Sequence, residues 1–545
     1  MPDPAPPSFP LTHSPWIPAR RVDDGTVVEL GILRTLGTAH ELAGLSADLP
    51  TQNAALTRLL LAVLHGALGP ADQAAWQALW DADELPVTEL ASYLDRHAAR
   101  FDLFHPETPF LQVADLRTAK GEASELSKLI ADVPNGVPVF TTRFGGELSL
   151  SFAEAARWLV HCMAFDPSGI KSGAAGDDRV KNGKGYPIGV AWTGQIGVVL
   201  LEGRTLKETL LLNLLPADDE RFRRDLAVDL PTWERPPVTA AAEMPEGRPP
   251  TGPVDLYTWP SRRIRLFPDG DRVARVLIAN GEKITPQDRF TVEPHSGWRH
   301  SENQDRILKR SPVYMPRGHD PDRAVWRGLQ ALLPAAPEPE TPKKGPQRFL
   351  SPGIVHRLAD LVGDVLPFDH WVRFRTIGMV YGSNESVVDD VVDDVIDLQA
   401  VLARHDAVAL ARTATDCVVA AERACFALGG LAGDLAVAAG GIADGPRGRA
   451  REAAFARLDR PFRDWLRTLG PDTDGYAEEI AWHREVRGIV TDSAADLLRD
   501  IPPACWAGRT DSRGNLLTAA HAEARFRKNL GAAVPLAFVD ADTAA

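Results

Sequence analysis

The spacing of apolar residues divides the chain into a mixed first part and a helical second part. In the first part, residues 53–68 and 152–163 carry apolar side chains at helical spacing. Short runs typical of strands alternate with them, at 188–201, 264–266 and 273–279. This mixture predicts helices packed on sheets rather than an all-helical or all-strand domain.

From about residue 386 the chain becomes rich in alanine and leucine, and apolar residues recur every three or four positions. Breaks rich in Gly, Pro and Asp leave four such stretches, at 386–440, 447–469, 474–500 and 515–530. Four helices joined by short loops predict an antiparallel four-helix bundle. We therefore predict an α+β fold, with a large mixed α/β domain over 1–385 and the bundle over 386–545.

Two proline-rich stretches interrupt the first part, at 236–253 and 334–346. Such composition disfavours regular structure and predicts exposed loops or disordered insertions. We expect no chemistry in either stretch.

Composition limits the possible functions. The 545 residues include 60 Lys and Arg against 74 Asp and Glu, a formal charge of −14, so binding of a polyanion requires local basic patches. The four cysteines form no Cys-x-x-Cys pair, which argues against a disulfide framework and a cysteine zinc site. With neither a signal peptide nor a membrane span evident, we expect a cytoplasmic protein without a membrane partner, cofactor or bound metal.

The segment 166–186 is a basic, glycine-rich exception in this acidic chain. It contains five glycines and four basic residues: Gly169, Gly173, Gly176, Gly183, Gly185, Lys171, Arg179, Lys181 and Lys184. Glycines allow positive φ and close backbone approach, and the cations favour an anionic partner. A nucleotide-binding P-loop does not fit, because Asp178 stands where the pattern needs its first glycine. A nucleic-acid contact and a mobile surface loop that binds nothing both remain open.

An aspartate-rich run suggests an alternative, enzymatic function. Its acids are Asp389, Asp390, Asp393, Asp394 and Asp397. Carboxylates four apart on a helix can hold Mg²⁺, as in diphosphate-handling helical enzymes. The apolar residues between them repeat at helical period, so the plainer interpretation is the solvent-facing start of an amphipathic helix.

Two further sets of residues are candidates for a binding site. Arginines cluster in the strand-rich stretch at 262–275, and beyond them Lys309 and Arg310 are candidates for non-specific DNA contacts. These cations form either a duplex-facing strip or a solvated sheet face. His295 and His300 could ligate a metal, but no carboxylate accompanies them in a known pattern. We find no nucleophile elbow and no paired acids, and predict that the chain is not an enzyme.

Several motifs, in their order along almost the whole chain, resemble the CasA-type large subunit of the type I-E CRISPR surveillance complex, Cascade. They lie at 14–20 (Ser-Pro-Trp-Ile-Pro-Ala-Arg), 101–112, 170–173, 210–215 and 257–260, followed by the helical C-terminal part. The resemblance implies a non-catalytic subunit that reads the protospacer-adjacent motif (PAM) of double-stranded DNA from the minor groove. It further implies duplex opening, R-loop formation and recruitment of a helicase-nuclease, with crRNA and the other Cascade subunits as partners.

The resemblance also assigns residues. The family's glycine loop falls on residues 165–168 and is followed by Gly169, which implies PAM contacts by Ser168, Gly169, Lys171 and Gly173. The family's minor-groove lysine aligns with Arg289. The strand-separating wedge falls on Asn384 and Glu385, with glutamate in place of glutamine. Phe140 matches a loop that contacts crRNA and neighbouring subunits. A general scaffold for RNA or protein remains a third possibility.

Overall fold

The computed structural model describes residues 7–133, 148–222, 224–336, 347–510, 514 and 516–539. Helix α5 shows how local sequence defines an element: Ser151 and Glu154 form a reciprocal capping box at its start. Over the described residues the α-helices are α1 Ile32–Gly37, α2 Pro50–Ala67, α3 Gln73–Asp81, α4 Val87–Arg96, α5 Phe152–Phe165, α6 Leu206–Leu212, α7 Pro253–Tyr257, α8 Glu302–Leu308, α9 Gly353–Leu361, α10 Val408–Ala438, α11 Asp444–Leu466, α12 Gly475–Arg499, α13 Pro503–Ala507 and α14 Ala519–Ala533.

The strands form several small sheets rather than one large one. In chain order they are β1 Ile17–Arg21, β2 Val27–Leu30, β3 Leu42–Leu45, β4 Ser124–Glu125, β5 Leu150–Ser151, β6 Lys171–Ser172, β7 Lys184–Gly185, β8 Val198–Glu202, β9 Arg262–Asp269, β10 Arg272–Asn280, β11 Trp298–His300, β12 Tyr314–Pro316, β13 Phe349–Leu350, β14 Trp371–Tyr381, β15 Val388–Gln399, β16 Arg509–Thr510 and β17 Leu516–Leu517. Two sheets matter most for the site: β10 pairs with β9, β4 and β5, and β14 lies between β8 and β15.

The chain divides into two compact units that are not continuous in sequence. The first contains residues 1–322, 343–357 and 373–395, and the second contains 323–342, 358–372 and 396–545. The predicted division after residue 385 is simpler than this one, because two earlier segments of chain belong to the second unit. The predicted contact residues that the structure describes, from Ser168 to Glu385, lie in segments of the first unit.

The first unit is built around α2, which is buried along almost its whole length. Arg58 on this helix forms a bidentate ion pair with Glu293, with both N–O distances 2.8 Å and both side chains at most 1% exposed. Trp192 Nε1 also donates to Glu293, at 2.7 Å. These hydrogen bonds offset the loss of water that burial of the two charges entails.

In the second unit α10 packs against α11, α12 and α14, so the four long helices of the predicted bundle are present. The α+β class is confirmed. The predicted helix over 386–440 is wrong in its first third, because residues 388–399 form strand β15 and α10 begins only at Val408. The interpretation of the aspartate run as the start of a helix is therefore wrong.

The strand also removes the geometry on which the magnesium alternative depended. Alternating residues of a strand face opposite sides, so Asp389 and Asp393 lie on one face and Asp390 and Asp394 on the other. Asp393 receives both Arg375 Nε and a terminal nitrogen, at 2.7 and 2.9 Å. Among the described residues, no group of three or more His, Cys, Asp or Glu side chains is arranged to hold a metal ion.

The first proline-rich stretch is held in place rather than extended into solvent. Arg263 donates to the main-chain oxygens of Thr239 and Ala241, and Arg248 forms a bidentate ion pair with Asp255 at 2.6 and 2.7 Å. The stretch is an irregular and largely exposed loop, as predicted, that these contacts anchor to the first unit. Most of the second stretch, residues 337–346, lies outside the described residues.

Candidate nucleic-acid interface

Residues 166–173, which we call the reader loop, leave the end of α5 and are held from within by Arg262. This arginine begins β9 and is 1% exposed. Its Nε donates to Asp166 Oδ2 at 2.5 Å, and a terminal nitrogen donates to the main-chain oxygens of Pro167 and Gly189 at 3.1 and 2.9 Å. These contacts fix the position of the reader loop and the direction in which it leaves α5.

Lys171 shares the same carboxylate. Its Nζ lies 2.5 Å from Asp166 Oδ2, and its side chain is only 13% exposed. Two cations, Arg262 and Lys171, therefore surround one carboxylate, which leaves the cluster one net positive charge. The structure places Lys171 inside the loop's own ion-pair network, so its side chain is not a free cationic arm.

The loop's glycines serve two different purposes. Gly169 has φ +118°, a conformation that residues with a β-carbon rarely adopt. A β-carbon on Gly173 would lie 2.6 Å from the main chain of Gly183, because the β6–β7 hairpin closes tightly there. The segment predicted as a basic glycine loop is therefore a folded hairpin, in contrast to the mobile-loop alternative.

The predicted wedge lies in the turn between β14 and β15, residues 382–387, which we call the hairpin turn. Asn384 and Glu385 are exposed and both have left-handed backbone, with φ +54° and +56°. The main-chain N–H of Ser168 donates to the carbonyl of Glu385 at 2.7 Å. Two segments that the sequence singled out separately, more than 200 residues apart, are thus in direct contact.

A cavity of about 440 Å³ is lined by both the reader loop and the hairpin turn. Hydroxyl, amide and aliphatic groups share its wall, together with two lysines, Lys128 and Lys171, and two aspartates, Asp132 and Asp166. Burial lowers the pKa of His161 to about 3 and raises the pKa of the Cys162 thiol, so both groups are neutral there. The wall is suited to binding by shape and hydrogen bonds.

Arg289 lies in a second group of predicted contacts. Its Nε donates to the carbonyl of Thr285 at 2.8 Å, and partial burial lowers the pKa of its guanidinium, which still remains charged. The adjacent Asp288 forms an ion pair with Arg310, and Lys309 is exposed at the left-handed end of α8. In the described part of the chain, no hydrogen bond or ion pair of these cations reaches the reader loop.

Two arginines of the cluster at 262–275 cannot belong to a duplex-facing strip or to a solvated sheet face. Arg262 and Arg263 are buried, and the latter pairs with Glu282 at 2.5 Å. Farther along, Arg265 and Arg275 lie 5.1 and 5.7 Å from the ring of Phe267. The prediction is wrong for the first two residues because each has a buried carboxylate as its partner.

The candidate metal-ligating histidines have other partners. His295 is fully buried beside Arg58 and Glu293, and burial lowers its pKa to about 3. His300 is hydrogen-bonded to Asp305 at 2.7 Å. Phe140, the predicted contact to crRNA and neighbouring subunits, lies outside the described residues.

Sequence reasoning missed three residues that shape the site. They are Arg262, which anchors the reader loop from within, Tyr381, and Gly194, which leaves room for the Tyr381 ring. Tyr381 donates its hydroxyl to the carbonyl of Phe165 at 2.6 Å, directly before the reader loop. Arg262 was visible in the sequence, but arginine is so seldom buried that its surface interpretation came first. Nothing in the local sequence marks the other two.

Comparison with known proteins places the chain among the CRISPR-associated proteins. A model of the family described as CRISPR-associated protein Cse1 matches residues 10–493. The chain belongs to this family, and the resemblance to the CasA-type large subunit of type I-E Cascade is confirmed.

Individual relatives agree in fold. The chain is similar to Thermobifida fusca Cse1, at 44% identity and TM-score 0.89, with 97% of this chain and 99% of that chain covered. It is also 34% identical to CasA/Cse1 of Thermus thermophilus over 339 residues, which span 60% of each protein. A chain of a CRISPR RNA-guided surveillance complex shares the fold at TM-score 0.67 and 23% identity, with 90% and 100% covered. Among the described residues, no helix is both long and apolar enough to cross a membrane.

Proposed function

We propose that this chain reads a short flanking motif, the PAM, in double-stranded DNA from the minor groove and promotes opening of the adjacent duplex. The observation that carries the proposal is the contact between Ser168 in the reader loop and Glu385 in the hairpin turn. A loop suited to close approach and an exposed turn suited to strand separation must be neighbours if both act on one short stretch of duplex. Membership of the Cse1 family supports the same function.

The chemistry of the reader loop suits a permissive reader. The minor groove distinguishes A·T from G·C but little else, so a probe of shape accepts several related motifs. Gly169 allows main chain to approach the groove, and the positive cluster around Asp166 adds attraction for phosphates. Because Ser168 is buried and its N–H is already used by Glu385, its proposed contact would come from the hydroxyl at the cavity wall. The amides of Gly169 and Ile170 are the proposed main-chain donors, since Gly173 N–H donates to the carbonyl of Gly183.

The hairpin turn carries the second half of the function. Asn384 and Glu385 project from a turn supported by two long strands, which is a stiff mount for a wedge. Holding open a base step costs about a few kcal/mol, which guide–target pairing can then offset as the R-loop grows. The glutamate carries a charge that repels phosphates, so the turn would act by occupying the space of the first base pair.

The partners follow from this role. We propose crRNA and companion Cascade subunits as permanent partners, with Phe140 in the contact, target duplex as the ligand, and a helicase-nuclease recruited after opening. Lys309 and Arg310 would add contacts to DNA of any sequence. We propose no catalytic step, cofactor or metal for this chain, and a cytoplasmic location stays a prediction.

Arg289→Ala in the assembled complex tests the role of the proposed minor-groove cation. Affinity for duplex with the flanking motif should fall by about 1–3 kcal/mol, roughly 5- to 150-fold, while a target already opened at the guide-complementary stretch binds nearly normally. Arg204→Ala, which removes a charge that is 82% exposed on another element, is the matched control. Equal loss on both substrates, or an equal loss in the control, would favour a general RNA or protein scaffold instead.

A further inference from the structure

The reader loop and the hairpin turn share one hydrogen bond, and the residues directly before each of them, Phe165 and Tyr381, share a second. Tyr381 Oη, at the end of β14, donates to the carbonyl of Phe165 at 2.6 Å. Ser168 N–H, in the reader loop, donates to the carbonyl of Glu385 at 2.7 Å. A single bond would leave a pivot between the two segments. Two bonds, one on each side of the contact, fix their relative position.

The ring of Tyr381 occupies space that Gly194 leaves open. A β-carbon on Gly194 would lie 2.1 Å from Tyr381 Oη and 3.0 Å from its Cζ, so only glycine at this position leaves room for the ring. The segment that carries Gly194 also holds the reader loop, since Ala191 N–H donates to the carbonyl of Asp166 at 3.0 Å. Burial raises the pKa of the Tyr381 hydroxyl well above its ordinary value, which keeps it a donor.

These contacts make the end of α5, the reader loop and the hairpin turn one mechanical unit. Arg262 fixes the loop from below through Asp166 and Pro167, whereas Tyr381 approaches from the strand that supports the turn. A displacement of the loop by a bound duplex would then reach the turn by two routes, directly through the Ser168–Glu385 hydrogen bond and through Tyr381 at the end of β14.

We propose that Tyr381 is a positioning residue that couples recognition at the reader loop to strand separation at the hairpin turn. The inference rests on the proposed function and adds to it how reading and opening are linked. Tyr381 itself need not touch DNA, since its hydroxyl is engaged with the Phe165 carbonyl.

The test uses the complete surveillance complex assembled with guide RNA, and three targets: duplex with the motif, duplex without it, and a motif-bearing target already opened. Affinity is measured on each, and opening is followed with a fluorescent base analogue beside the motif. Tyr381→Phe should slow opening of the motif-bearing duplex about tenfold, equivalent to about 1.4 kcal/mol, with affinity for the opened target within about twofold of wild type. Gly194→Ala, which displaces the same ring, should act in the same direction.

Tyr93→Phe is the matched control, because the Tyr93 hydroxyl is also buried and engaged, by Glu234 and Trp233 on other elements. It should lower the melting temperature without slowing opening. Wild-type opening rates in Tyr381→Phe would overturn the coupling, and so would equal slowing in Tyr93→Phe or an equal affinity loss on the opened target. If the wild-type complex binds and opens duplex equally well with and without the motif, the proposed function is wrong, and the coupling is wrong with it. The wild-type measurements identify this outcome by themselves.

Discussion

Gly169→Ala should damage motif reading through the backbone rather than through a clash. At φ +118° any residue with a β-carbon is strained, by about 1–3 kcal/mol. The added methyl would meet Ser386 Cβ at 3.6 Å, an ordinary contact, so sterics add little. At about 1.4 kcal/mol per tenfold, the native loop conformation becomes roughly 5- to 150-fold less favoured.

The assay is competition binding by the assembled complex, with motif-bearing duplex against duplex without the motif. Gly176→Ala is the control from the same segment: its φ is +96° and its added methyl would meet nothing within 4 Å. It carries a similar backbone penalty away from the hairpin turn, so it should lower stability and leave discrimination intact. The reasoning is refuted if both variants lose discrimination equally, or if Gly169→Ala retains it.

Two further predictions concern stability of the first unit. Glu293→Gln should cost about 3–5 kcal/mol in a denaturant titration because it leaves Arg58 buried and uncompensated, and a change under 1 kcal/mol would contradict this. Acid should also destabilise the unit, since burial lowers the pKa of His161 and His295 to about 3 and of His319 to about 4. In the unfolded chain the pKa of these histidines is about 6.5. The free energy of unfolding is therefore highest above pH 6.5 and falls as the pH drops, by about 2 kcal/mol per histidine at pH 5. Denaturant midpoints at pH 7.5 and 5.0 test this, and a His319→Gln variant as acid-sensitive as wild type would count against it.

The helices were the most predictable part of the fold. Helices α5 and α11 follow from their own apolar spacing, and α5 has a capping box that the sequence displays at Ser151 and Glu154. Local signals suffice where an element's start and buried face are both determined by residues near in sequence.

Strand β15 shows where such signals fail. Its valines and aspartates repeat every four residues, which fits the period of a helix better than the alternation of a strand. Val388, Val391, Val392 and Val395 are β-branched, and that preference, together with pairing to β14, determines the outcome. The pairing with β14 depends on the tertiary fold and cannot be inferred from the valine–aspartate run alone.

The sequence indicated the separate segments of the candidate site but not how they assemble. Resemblance located the reader loop and the hairpin turn, yet their contact depends on how α5 and β14 are placed in three dimensions. Arg262 was misread because its partner Asp166 lies 96 positions away. A buried arginine and an exposed one look alike until the carboxylate opposite is known.

Under the proposed function, the internal charges would let an acidic chain read DNA without a free basic arm in its reader loop. Arg262 and Lys171 both point at Asp166, so their positive potential reaches the surface while their donors stay occupied. What the loop offers outward is then main chain, beginning at Gly169, with little side-chain chemistry to favour one base over another. Discrimination by such a surface depends on groove shape and on the rigidity of the loop. This is why buried residues that never meet the duplex should control its recognition as strongly as those that do.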